Sequence, residues 1–433
     1  MRSAETLIHA ESEEQPVTAR DQIFRVAVRK FEPFESALAK QWDRFEQLYG
    51  TGLKLEAVAL DVHPLYESLF VQQGLLRGDW DVAMISTDWL AEAADTGWLL
   101  DLAPYINRCP PEGYPDAWSK SLFRLQSFNS VVFGLPYHDG PECLIYRKDL
   151  FADTAVADAY AQQYGEPLNV PQTWDQFHRI ARFLTNSEKS VYGTAFAAFP
   201  EGHNTVYDFC LQLWSRGGEL FEDSGHFLLD TPQAHAALDF YRTILNDACA
   251  VHPDSRAFDS VKAGYAFANG QIAMMVNWFG FASMSETIAE SKVKGCVAVT
   301  SIPSANGTRT SLNAYWILAI PTGSRHRDRG WNFVRHCTNP EMDKLLTLEG
   351  GIGCRKSTWS DFQVNSVVPF SHCLESLHQN TRELPRLKNW SKLSPIIDRM
   401  VFDAIDTAEP TAAILQRAQA HADTTLSQGA VRS

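Results

Sequence analysis

The sequence predicts an α/β protein in which a mostly parallel sheet is covered by helices. Three observations carry the prediction. Strand-like apolar runs alternate with runs at helical spacing over the first ninety residues, the links between them are short, and the composition of 45% hydrophobic and 21% charged residues is that of a packed globular chain. A length of 433 residues corresponds to about two or three domains. With 38 Lys and Arg against 52 Asp and Glu, the net charge of -14 removes any long-range attraction to a phosphate backbone or an anionic membrane, which argues against nucleic acid as a partner.

After a polar lead through Gln22, the run Ile23 to Val28 reads as a strand. Leu38, Trp42, Phe45 and Tyr49 then recur at helical spacing until Gly50 ends the run. Leu53 to Leu60 predicts a second strand, Leu65 to Arg77 a helix, and Asp81 to Ile85 a short apolar strand opening into Ser86, Thr87, Asp88 and Trp89. On parallel sheets ligands sit beyond the carboxyl ends of the strands, which is where Asp88 and Trp89 fall. Cys143 to Tyr146 is a further strand. Thr173-Trp174-Asp175-Gln176 is a capping box ahead of the helical positions Phe177, Ile180 and Leu184, and Thr231-Pro232 opens a helix carrying Leu238, Tyr241 and Leu245. A strand over Tyr315 to Ile320, a helix over Trp331 to Cys337 and a long, largely helical tail complete the reading. No internal repeat or low-complexity linker separates the parts.

Ala263 to Ser285 carries no side chain charged at neutral pH before Glu286, but Gly264, Asn269, Gly270, Gln271, Asn277 and Gly280 interrupt it, so it predicts a helix end, a turn and a buried strand rather than a membrane span. The eight cysteines show no C-x-x-C and no compact framework. They read mainly as small buried apolar residues, with disulfides as the lesser alternative. The N-terminus has one early Arg followed by acids, without the apolar run of a secretory signal; either the signal is missing from this sequence or the protein takes another route.

The search for catalytic motifs is negative: no H-E-x-x-H, no G-x-S-x-G elbow and no Cys/His set with zinc spacing. Gly350-Gly351-Ile352-Gly353-Cys354-Arg355-Lys356-Ser357 resembles a phosphate loop, but Arg355 stands where the second Gly is required. It reads instead as a Gly-rich turn between helices, with Arg355 free to offer a hydrogen-bond fork to a ligand. Asp139 and Glu142 are a conceivable carboxylate pair for glycoside hydrolysis, although a binding role needs fewer coincidences. His138 and His203 lack a carboxylate or Cys at ligand spacing, so no metal is expected. The 12 Trp, 13 Tyr and 25 Phe are more informative. Asp88-Trp89, Tyr137-His138-Asp139, Asn277-Trp278 and Trp390 set flat rings beside polar groups, which suits the C-H face and hydroxyls of a neutral sugar. Core packing competes evenly with ligand contact for Trp89 and Trp278, and is favoured for Trp316 and Trp390.

The ordered set of motifs resembles the family 1 extracellular solute-binding proteins, the carbohydrate receptors of ATP-driven importers. The matching pieces include Tyr49-Gly50-Thr51-Gly52, Gly78-Asp79-Trp80-Asp81-Val82, Ala94-Asp95-Thr96-Gly97-Trp98-Leu99 and Gly134-Leu135-Pro136-Tyr137. Ile145 to Phe151, Pro171 to Asp175, Gly217-Gly218-Glu219-Leu220, Phe267 to Met274 and the segment Pro303 to Glu341 continue the series in order over about residues 23 to 420. The resemblance implies a two-lobe, periplasmic-binding-protein-like fold of type II, each lobe a mostly parallel sheet flanked by helices. The expected division is a polar tail over 1–22, a first lobe over 23–136 plus 303–340, and a second lobe over 137–302 plus 341–433.

It also implies a sugar or oligosaccharide held in an interlobe cleft, an ABC permease as partner, a monomeric receptor, no cofactor and no catalytic residue. The location implied is periplasmic or extracellular, with cytoplasmic as the alternative. Asp88 and Trp89 fall on the ligand loop of the first lobe, Tyr137, His138 and Asp139 on the hinge loop, and Asn277 and Trp278 on the aromatic loop of the second lobe. Phe34, His203, Arg355 and Trp390 complete the expected ligand-binding set. The chain departs from the family pattern at Gly140, where the hinge-loop acid stands one residue early as Asp139, and at Trp278-Phe279-Gly280, which replaces Gly-x-Trp. The rival readings are a same-fold receptor for an iron complex, polyamine or organic anion, a glycan-degrading enzyme, and a cytoplasmic sensor. Clustered Tyr in the cleft would mark iron, and a ring of carboxylates a cation.

Overall fold

The computed structural model describes residues 19–222, 225–387 and 389–430. Most of the expected polar tail, and with it the reading of the N-terminus, lies outside the described residues. Ala19–Gln22 forms a single 3-10 turn, in which the Arg20 guanidinium donates to the Ile23 carbonyl at 2.8 Å and reaches the buried Asp81 carboxylate at 3.4 Å.

Five strands form the first sheet. β1 (Ile23–Arg29) lies parallel to β2 (Lys54–Leu60) and β3 (Val82–Ser86). A further strand, β4 (Gly134–His138), covers the Gly134-Leu135-Pro136-Tyr137 motif. The late strand β8 (Trp316–Ala319) inserts antiparallel between β3 and β4, giving the order β2-β1-β3-β8-β4. The second sheet contains β5 (Glu142–Arg147), β6 (Met274–Trp278) and β7 (Val297–Thr300), in the order β6-β5-β7. All its registered pairs are antiparallel, against the expectation of a mostly parallel sheet in each lobe. Among the described residues, parallel pairing appears beside it as isolated bridges, Tyr192 to Ile272, Thr194 to Val251 and Thr173 to Ser304.

The two faces of β5 show why the chain folds this way. Cys143 and Ile145 point into the core that covers the first sheet and continues beneath Phe279 and Phe281. Leu144 points into a second core of Phe177, Phe209, Leu238 and Ile397. Helix α1 (Glu32–Tyr49) ends at Gly50, whose φ of 55° is a left-handed cap that glycine adopts without strain. The capping box at Thr173 is present, with both reciprocal bonds, ahead of α2 (Trp174–Leu184).

Two expectations change. The single helix over Leu65 to Arg77 becomes an α-helix, Val62–Tyr66, that continues as a π-helical stretch, Glu67–Val71, and is then broken at Gln73, which takes a left-handed φ of 57°, before Gly74–Arg77. The segment after residue 340 divides differently from the expected boundary. The helix Pro340–Leu348 packs on α1, where Gln41 Nε2 donates to the Met342 carbonyl at 3.1 Å, and residues through Leu377 join the first core. Only from Leu384 onward does the tail join the second core.

Gly193 shows how tightly the second lobe is built. A Cβ placed there would lie 1.8 Å from the Ala181 carbonyl oxygen in the backbone of α2. Gly193→Ala is therefore expected to destabilise the fold by about 3 kcal/mol, read as a lowered urea midpoint. All eight cysteines are free thiols. No helix among the described residues is long and apolar enough to cross a membrane, and the Ala263–Ser285 stretch resolves into a helix, a strand and a helix.

Candidate functional site

The insertion of β8 builds the site. Its first residue, Trp316, is registered against Ser86 at the carboxyl end of β3 and against His138 at the carboxyl end of β4. One edge of the first sheet therefore gathers Ser86, Trp89, His138 and Trp316. Facing it from the second lobe are Glu201, His203, Asn204, Tyr207, Trp278 and Phe281, and the two sets enclose a chamber of about 100 Å³. A second chamber of about 270 Å³ adjoins it and shares Trp89, Glu201, His203 and Tyr207.

Several contacts cross between the halves. The Tyr207 hydroxyl, on the helix Asn204–Trp214, donates to Asp88 Oδ2 at 3.0 Å. The Trp89 and His203 rings stand 6.3 Å apart, and Phe31 meets Phe281 edge-on at 5.9 Å. The walls are dominated by indoles and other rings. Trp89 and Trp316 meet at 89° with centroids 5.5 Å apart, and Trp278 meets Tyr207 at 88° and 5.7 Å.

Polar groups punctuate these walls. His138 accepts the Ile352 amide hydrogen on Nδ1 at 2.9 Å, and burial pushes its pKa down to about 4. The ring is therefore neutral at pH 7 with its proton on Nε2, a fixed donor at the chamber. Asp139 is 1% exposed; one carboxylate oxygen contacts His378 Nε2 at 2.6 Å, and Oδ1 has no partner among the described residues. Burial raises the pKa of Glu201, which accepts a hydrogen bond from the Asn204 amide. Arg29 lines the chamber, but its guanidinium is engaged by Asp61 and the Lys30 carbonyl, both at 3.1 Å. Gly280 lies against the His138 ring, where a Cβ would come within 3.3 Å of Cε1.

Of the sequence-predicted residues, Phe34, Trp89, His138, Asp139, His203 and Trp278 line the inner chamber, and Asp88 and Trp390 line the adjoining one. Three lie elsewhere. Tyr137 is buried and donates to Gln41 Oε1 at 2.9 Å. Asn277 holds the Ser260 carbonyl at 3.1 Å and accepts from the Trp278 amide, so it shapes the wall from behind. Arg355 spends its fork on the Thr338 and Glu112 carbonyls at 2.6 and 2.9 Å and stacks 4.6 Å over Trp118. Arg355→Ala is accordingly expected to cost about 2 kcal/mol of stability while leaving solute affinity within twofold, checked by urea unfolding alongside calorimetry. Trp316, favoured as core, is a wall residue, and Arg29, Glu201 and Tyr207 were not foreseen. The β-strand that begins at Trp316 was legible, but its antiparallel insertion beside Ser86 was not.

Among the described residues, no group of three His, Cys, Asp or Glu side chains is placed to hold a metal ion. The model of the family described as bacterial extracellular solute-binding proteins matches residues 31–344. A probable amino-acid ABC transporter periplasmic-binding protein of Sinorhizobium fredii is 24% identical over 365 residues, covering 83% of this chain and 78% of its own. The mannitol-binding protein of Pseudomonas aeruginosa is 24% identical over 343 residues, covering 78% of this chain and 75% of its own. The crystal structure of an ABC transporter solute-binding protein of Agrobacterium radiobacter K84 in complex with ribitol superposes with a TM-score of 0.81 at 22% identity, covering 95% of this chain and 100% of that one.

Proposed function

Because the chain belongs to the bacterial extracellular solute-binding protein family, we propose that it is the receptor of an ABC importer for a small polyhydroxylated solute, a monosaccharide or polyol. The observation that carries the reading is the inner chamber: Trp89, Trp278 and Trp316 offer ring faces to C-H surfaces, while His138, Asp139, Glu201 and Asn204 offer donors and acceptors for hydroxyls. Its size sets the class. A dry cavity of about 150 Å³ accommodates a benzene, so a chamber of about 100 Å³ with a 270 Å³ annex suits one sugar unit rather than a long oligosaccharide.

The solute stabilises the closed arrangement in which Tyr207 reaches Asp88, and this population shift presents one shape to the permease. The protein acts as a monomer outside the inner membrane, and no bond of the solute is broken. The mannitol receptor of Pseudomonas aeruginosa and the ribitol complex of Agrobacterium radiobacter support the polyol class. The amino-acid receptor named among the relatives supports a competing class, but Arg29, the chamber's guanidinium, is already paired with Asp61.

A thermal-shift panel of ribitol, mannitol, glucose, maltose and the L-amino acids separates the two. A polyol or monosaccharide at a hundredfold excess over Kd is expected to stabilise the protein by about 2.7 kcal/mol and to quench tryptophan fluorescence. A response confined to L-amino acids, or to none of the panel, overturns the reading.

A further inference from the structure

The annex differs in character from the inner chamber. Its walls carry four aromatic rings, Tyr66 and Trp89 from the first lobe and Tyr207 and Trp390 from the second, with three carboxylates, Asp88, Glu92 and Glu201. Tyr66 and Trp89 meet edge to face at 5.4 Å, so two walls stand at a steep angle to one another. Among the described residues, no Lys or Arg lines the space, and the basic side chains there are the imidazoles of His63 and His203. The cations acting on Glu201 from outside are Arg29 and Lys262, and both have carboxylates of their own, Asp61 and Asp259.

The hydroxyls are already committed. Tyr66 donates to Glu92 at 2.9 Å, Tyr207 to Asp88 at 3.0 Å, and Ser394 to the Gly202 carbonyl at 2.9 Å. Asp88 Oδ1 is buried with no partner among the described residues. Burial first, and then Glu92 and Asp88, raise the Tyr66 phenol pKa, as a negative local potential requires. A neutral sugar would find acceptors there with few donors to match them. A metal ion would find rings where it needs oxygens. An ammonium group finds ring faces and anionic oxygens together.

We propose that the annex holds an ammonium group, so that the imported solute is an amine-bearing sugar or polyol with its hydroxyls in the inner chamber and its cationic end against Trp390 and Glu92. The ligand class rests on the polyhydroxylated-solute reading, and the annex extends it.

Two measurements test the proposal on the full-length protein. Calorimetric titration with glucosamine and glucose is expected to show at least tenfold tighter binding of the amine. Trp390→Ala and the near-isosteric Glu92→Gln are each expected to reduce that preference to within threefold, through a larger loss of glucosamine affinity than of glucose affinity. Saturation-transfer NMR with tetramethylammonium, against sodium at equal ionic strength, is expected to show binding that both variants abolish. Glucose bound as tightly as glucosamine, together with no tetramethylammonium signal above that of the variants, overturns the annex and leaves the polyol receptor standing. Failure of every sugar and polyol to bind, with tetramethylammonium still bound, overturns the polyol reading and keeps the ammonium site.

Discussion

Trp278→Ala is expected to weaken solute binding by about thirtyfold, equivalent to about 2 kcal/mol. The ring is half-buried, held edge-on to Tyr207 at 5.7 Å, and its backbone amide is fixed by Asn277 Oδ1, so it is preset as a wall of the chamber before the solute arrives. Removing it deletes a stacking face, and because the ring also packs against both cores the unliganded melting temperature falls with it. Isothermal titration with the best solute of the panel measures the loss. A change below threefold would mean that the solute does not stack on this indole.

Raising the pH from 5 to 8.5 is expected to lower the unfolding free energy by about 3 kcal/mol through the half-buried Asp208 carboxyl of the second lobe, with the buried Glu142 adding to the loss. Asp208 accepts the Tyr241 hydroxyl at 2.7 Å, and burial pushes its pKa up to about 7. Glu142, 4% exposed and with Oε2 unpartnered among the described residues, is pushed well up by burial and then by Asp208. Both values are raised, so between the ordinary carboxylate range and pH 7 the folded state holds protons that the unfolded chain has released. Stability is therefore present at low pH and is lost as pH rises through the folded values. Glu142→Gln removes one of the two ionisations and is expected to reduce the slope of stability against pH by about half. Urea unfolding at pH 5, 7 and 8.5 reads this directly; a slope unchanged in Glu142→Gln would place the pH dependence elsewhere.

The strands and helices of the first lobe were legible because their signals are local, alternating apolar residues at β1 and β2 and a helical stripe closed by Gly50, and the capping box at Thr173 marked α2 of the second lobe in the same way. The break at Gln73 was not, since a glutamine carries no mark of a left-handed backbone and the conformation follows from packing around Trp80 and Gly74. Sheet direction in the second lobe was equally hidden, because β6 and β7 reach β5 through long intervening segments rather than through a local turn.

The same limit governed the site. Trp89 and Trp278 stood at ends of strands that could be read from the sequence, His138 stood in a loop that only the family resemblance marked, and all three line the chamber. Trp316 became a wall only because β8 inserts antiparallel, and Arg355 lost its expected role because nearby carbonyls of Thr338 and Glu112 capture its fork. Tyr207 and Glu201 sit on or beside a helix whose apolar stripe gave no sign that its first turn faces the other lobe.

The most direct measurement is a native mass spectrum of the protein purified from its own host, with the retained solute released and identified. The account predicts one small polyhydroxylated molecule per chain, recovered chemically unchanged and absent from Trp278→Ala prepared in parallel. A retained peptide, iron complex or altered product, or a molecule that Trp278→Ala still carries in full, would contradict it.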